Sequence, residues 1–98
     1  MHPPDWVSWV DCQLALIQDC FERERPAAAS IMLEGLADGL EQVHGAALED
    51  AVGQLRSAAR KAMHTSMPAA RAGYEAALPM IRRAYPSSAG AEASSSSA

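Results

Sequence analysis

The chain has 98 residues, a formal net charge of −4 and 49% apolar residues. This length holds one domain at most, and a domain so small is marginal unless it is stapled or assembled with a partner. The acidic balance argues against nucleic-acid binding by the whole chain. No run of about 18 apolar residues is present to span a membrane, and the start MHPPDW lacks the basic-then-apolar order of a signal peptide.

Asp5, following Pro3-Pro4, is a good N-cap and predicts a first helix to about Glu24. Val7, Val10, Leu14, Ile17 and Phe21 recur at three and four and form one seam. Trp6 flanks it, while Trp9, Leu16 and Cys20 make a second stripe. At about 100° per residue the combined apolar face covers over half the circumference. Such a helix is central to a bundle, or it serves both the core and a partner. Cys12 and Cys20 are eight positions apart, about 12 Å along the axis, too far for a bridge. They read as reduced, buried thiols of a cytosolic protein.

Pro26 suits the first turn of a second helix that runs to about His44, with Leu33, Leu36, Leu40 and Val43 as its seam. Gly35 and Gly39 weaken this helix and allow a close approach by another. Leu48, Val52, Leu55, Ala59 and Met63 form the next seam. On one continuous helix it would be rotated by about 130° from the last, which predicts a break at Gly45 and a third helix over about 46–63. A fourth helix over about 68–84 turns Ala70, Tyr74, Ala77, Leu78, Ile81 and Tyr85 inward. Pro79 predicts a kink in it or a true start near Tyr74. The expected fold is all-α, a compact four-helix bundle or stacked helix hairpins over residues 1–86. A disordered Ser/Ala-rich tail follows over 87–98, too polar to order itself.

The stretch GYEAALPMIRRAYP, from Gly73 to Pro86, resembles the second helix of a tetratricopeptide unit. Tyr74, Ala77, Ile81 and Ala84 match that pattern in type and spacing. The preceding helix departs from it, because Lys61, His64-Thr65 and Pro68 fall where a large residue, a Leu-Gly pair and a tyrosine belong. No second copy recurs at the family's 34-residue period. The resemblance implies a helical binding scaffold.

Few constellations carry chemistry. Glu41-x-x-His44 places a carboxylate and an imidazole on one helix face, but a di-iron bundle needs two such pairs and two further glutamates. His44 reads instead as a favourable last-turn residue. The spacing of Cys12, Cys20, His44 and His64 fits no compact zinc motif. No Gly-rich phosphate loop or nucleophile elbow is present. The expectation is therefore no enzyme, no cofactor and no metal.

Charge is uneven. Residues 1–53 carry ten acidic and two basic side chains, and residues 54–98 carry two acidic and six basic ones. Either the halves pair with each other or each offers a signed surface. The favoured reading is a small cytoplasmic, non-enzymatic interaction module of the co-chaperone, adaptor or immunity-protein kind. It would bind another protein, or its own copy, through Trp6, Trp9, Leu16, Tyr74, Ile81 and Tyr85 on the first and fourth helices. The alternative is a small nucleic-acid-binding regulator using the basic half, Arg56, Arg60, Lys61, Arg71, Arg82 and Arg83.

Overall fold

The computed structural model describes residues 3–85, with side chains from Val7 onward. The expected tail lies outside the described residues. Four α-helices account for most of what is described: α1 (Pro3–Glu22), α2 (Pro26–His44), α3 (Glu49–His64) and α4 (Met67–Ala84). They pack as an all-α bundle around one core.

The helix ends follow from local chemistry. α1 begins at Pro3 rather than after Asp5, since a first-turn residue has no helical use for the N–H that proline lacks. It closes at Glu22. There the Arg25 N–H donates to the Cys20 carbonyl at 2.9 Å and the Glu24 N–H donates to the Phe21 carbonyl at 3.2 Å. This paired closure needs a left-handed residue. Glu24 supplies it at φ 54°, where a side chain costs about 1 kcal/mol relative to glycine.

α2 stops at His44, and Gly45 takes φ 55° as the shifted seams predict. A single 3-10 turn, Gly45–Leu48, then delays the start of α3 to Glu49. Glu49 and Asp50 in the first turn of α3, and Lys61 and His64 in its last, complement the helix dipole. α4 is capped by Ser66, whose hydroxyl accepts the Ala69 N–H at 3.1 Å. Ser66→Ala removes that bond and should cost about 1 kcal/mol. The expected drop is roughly 4–8 °C in a thermal melt followed by circular dichroism, and an unchanged melt would show that the cap contributes nothing. Pro79 sits inside α4 without ending it, and the helix does not restart near Tyr74. Pro79 and Glu75, whose carbonyl loses its helical donor, are both exposed, so water can serve that carbonyl.

The interior is built in two ways. α3 lies between α2 and α4, and it buries Ala51, Val52, Leu55, Ala58, Ala59 and Ala62. α4 answers with Ala70, Gly73, Tyr74, Ala77 and Ile81. Small side chains let these backbones come close: a Cβ built on Gly73 would stand 3.4 Å from the Ala58 Cβ. α1 keeps a greater distance from its neighbours and reaches them through Val10, Leu14, Ile17 and Phe21, all buried. Two residues expected on core seams are half exposed, Val43 at 45% and Met63 at 50%. Each is the next-to-last residue of its helix, where covering neighbours run out.

Candidate interaction surface

The polar groups that suggested chemistry are drawn apart into structural roles. Glu41 and His44 do not form a joint site. Arg56 of α3 donates to Glu41 at 3.0 and 3.1 Å and to Asp38 at 2.8 Å, tying α3 to α2. The Arg56 hydrogen bond, and then its charge, hold the Glu41 carboxyl below its usual value. That contribution to stability is present above the carboxyl's unfolded pKa and is lost as pH falls through the lower folded one. Glu41 is exposed and Arg56 partly so, which keeps the gain small. His44 points the other way. Its Nε2 lies 2.5 Å from the Tyr85 hydroxyl, and the two rings meet edge to face at 5.2 Å. The contact fastens the end of α4 to the end of α2. Among the described residues no group of three or more metal-binding side chains converges.

The basic half is partly spoken for. Arg82 donates to Asp11 of α1, Arg71 pairs with Glu75, and Arg56 is held as above. The halves therefore do pair across the bundle. Arg60, Lys61 and Arg83 are exposed, and no aromatic residue interleaves them.

Three of the side chains expected to face a partner are core residues instead. Tyr74, Ile81 and Tyr85 are 2%, 0% and 7% exposed. The Tyr74 hydroxyl donates to the Leu14 carbonyl at 3.3 Å, and its ring lies 5.5 Å from Phe21. The same residues read as inward-facing on the α4 seam, and a bundle this small spends them on its own core. Tyr74, Ala77 and Ile81 of the tetratricopeptide-like stretch are all interior. The side chain of Trp6 lies outside the described set. Trp9 is half-buried and packs on α2: a Cβ built on Gly39 would meet its ring at 2.6 Å, so the glycine is the notch that seats it. Cys20 is buried but Cys12 is exposed, contrary to the expectation that both are buried, because Cys12 lies about 160° round α1 from Leu14.

What stays open is an apolar strip along the α1–α2 hairpin. Leu16 is 45% exposed and Ile31 is 70% exposed. The Trp9–Gly39 contact fixes the register of these two antiparallel helices. Two turns on from Trp9 is Leu16, and two turns back from Gly39 is Met32, so ideal helix pitch sets Leu16 level with Met32 along the hairpin, with Ile31 and Gly35 further round on the outward side of α2. Nothing lies within 4 Å of where a Gly35 Cβ would be, so the surface at this position is open. Ile31 was not singled out from the sequence. Its signal was its place about 140° round α2 from Leu36, on an otherwise polar face.

Two grooves flank α4. One of about 370 Å³ runs between α1 and α4, floored by Leu14, Tyr74 and Leu78 and closed at one end by the Asp11–Arg82 pair. Another, of about 510 Å³, lies between the start of α3 and the end of α4, where Glu49, Asp50 and Arg83 mix their charges. No helix among the described residues is long and apolar enough to cross a membrane. No protein-family model, curated protein or solved structure matches the chain.

Proposed function

We propose that the protein is a non-enzymatic interaction module that engages another protein through the α1–α2 hairpin. The observation that carries this reading is the exposure of Leu16 and Ile31, one on each helix of the same hairpin. An isolated exposed leucine needs no explanation, but two large exposed aliphatic side chains on adjoining helices, with open space over Gly35, do. Fully burying a leucine or isoleucine contributes about 1.5–3 kcal/mol, so covering these two part-exposed side chains supplies a useful share of a micromolar affinity. Half-buried Trp9 adds an aromatic edge at one end of the strip, the kind of residue enriched at interface centres. The binding face thus moves from the α1 and α4 pairing to α1 and α2, with Leu16 and Trp9 retained. The tetratricopeptide-like character of α4 fits a scaffold role, with α4 supporting the bundle and not the contact. The co-chaperone, adaptor and immunity-protein classes all suit a module of this size and charge.

The test compares wild type with Leu16→Asn/Ile31→Asn. Both positions are solvent-facing, so the variant should keep its melting temperature within a few degrees. Immobilised wild type should retain a stoichiometric partner from extract that the variant does not. Equal retention by the two, or none by wild type, would sink the reading.

A further inference from the structure

The interaction reading leaves the partner's chemistry open, and the hairpin narrows it. Residues 3–44 carry eight acidic side chains against two basic ones, Arg23 and Arg25, both at the connecting turn. Some of this charge is met within the bundle by Arg56 and Arg82, and Arg23 pairs with Asp19. The excess remains negative. It is also placed to matter. On the α2 side of the strip Glu34 and Asp38 follow Ile31 at three and seven residues, so they line the same edge. Both are exposed. On the α1 side Asp19 follows Leu16 at three residues, its side chain 51% exposed. An apolar strip is therefore bordered by carboxylates on both sides.

We propose that the occupant of this strip is a basic amphipathic helix of another protein, with large apolar side chains along one face and lysine or arginine on both flanks. The proposal rests on the interaction reading above and adds the sign and shape of the partner. A helix suits the strip because a rod laid along the hairpin can meet Leu16 and Ile31 together and reach the carboxylates of both helices. The partner's apolar row would sit over Gly35, between Leu16 and Ile31, as helix-in-groove recognition does elsewhere. Its flanking cations would then reach Asp19 on one edge and Glu34 and Asp38 on the other. Asp19 and Asp38 already hold arginines, so Glu34 is the carboxylate with most to gain.

Gly35 gives this a sharp handle. Glycine inside a helix is destabilising, and here no neighbouring side chain occupies the space it leaves. A longer residue at this site touches nothing in the protein itself and should make it more stable, yet it would stand where the partner's apolar row must lie.

The experiment uses a labelled synthetic 18-residue helix with leucine along one face and lysine elsewhere, a counterpart with glutamate in place of lysine, and fluorescence anisotropy on the full chain. The lysine helix is expected to bind at least about tenfold more tightly than the glutamate one at low salt, since several weak exposed pairs change sign together. The preference should shrink as salt rises. Gly35→Gln should raise the melting temperature while weakening binding of the lysine helix. Glu34→Lys should weaken it as well. Glu49→Gln/Asp50→Asn, at the start of α3 and outside the strip, should leave it unchanged. Equal binding of the two peptides overturns the proposal, as does a lysine-helix affinity indifferent to Gly35→Gln. A wild-type dimer in sedimentation that Ile31→Asn disperses also overturns it, because a second copy would then cover the strip. If extract capture succeeds while the lysine preference is absent, the partner's chemistry is wrong and the interaction reading stands. If capture itself fails, the fault lies with that reading.

Discussion

Tyr74→Ala is expected to lower the unfolding free energy by about 3–5 kcal/mol, the usual cost of deleting a large aromatic side chain from a core. Tyr74 is the largest fully buried side chain of the bundle. It joins α4 to α1 twice, by its ring against Phe21 and by its hydroxyl to the Leu14 carbonyl. A domain of this length has on the order of 5–15 kcal/mol in total, so the variant should melt at least about 12 °C lower or not fold at all. Tyr74→Phe separates the two contributions. It keeps the ring and removes one hydrogen bond, at about 0.5–1.5 kcal/mol. The two variants also differ at high pH from wild type. Burial pushes the Tyr74 phenol up to about 12, so the neutral donor is favoured in the folded state. That part of the stability is complete below the unfolded phenol value of about 10 and is lost as pH rises through the folded one. Denaturant titrations at neutral and alkaline pH should show this loss in wild type and a smaller one in Tyr74→Phe. Equal stability of Tyr74→Ala and wild type would show that α1 and α4 do not meet as described.

Ala58→Leu should be the next most damaging change, at about 1–3 kcal/mol or more. Ala58 is fully buried and faces Gly73 across a close contact between α3 and α4. Three added carbon atoms have no room there, so the helices must part and loosen the core packed between them. The opposite side of the same contact predicts the opposite sign. A Cβ on Gly73 would meet Ala58 at 3.4 Å, an ordinary van der Waals distance. Gly73→Ala should therefore keep the packing and gain up to about 1 kcal/mol from helix propensity. Urea unfolding of the two variants checks both. If Ala58→Leu is neutral, the contact is looser than drawn, and if Gly73→Ala destabilises, it is tighter.

Helix number and most boundaries were legible because each seam has its own phase. The mismatch between the Leu33–Leu40 and Val52–Ala59 rows located the break at Gly45 without any tertiary information. Periodicity could not show that α3 has neighbours on two sides, which is why its alanines at 51, 58 and 62 escaped the single-seam reading. Nor does it show where a covering helix ends, so Val43 and Met63 looked like core. The surface was harder to read than the core. Tyr74, Ile81 and Tyr85 satisfy the pattern of a core seam and of an interface anchor equally well, and only the count of helices around them decides. Leu16 was visible as a second stripe on α1. Ile31 was not, since one aliphatic residue on a polar face has no period.

Alanine and glycine bind α2, α3 and α4 into a tight layer, whereas α1 is held at arm's length by a row of long side chains. The two kinds of contact set different thresholds for opening. α3 has close neighbours on two sides and α1 has fewer, so α1 is expected to release first, as a unit with the lower free energy of opening. Its backbone amides then exchange with solvent ahead of those in α3. Any ligand lying across α1 and α2 at once acts as a strap on that motion. Each tenfold rise in its concentration above the dissociation constant would add about 1.4 kcal/mol to the closed state, so the protein would be at its most rigid with such a ligand bound.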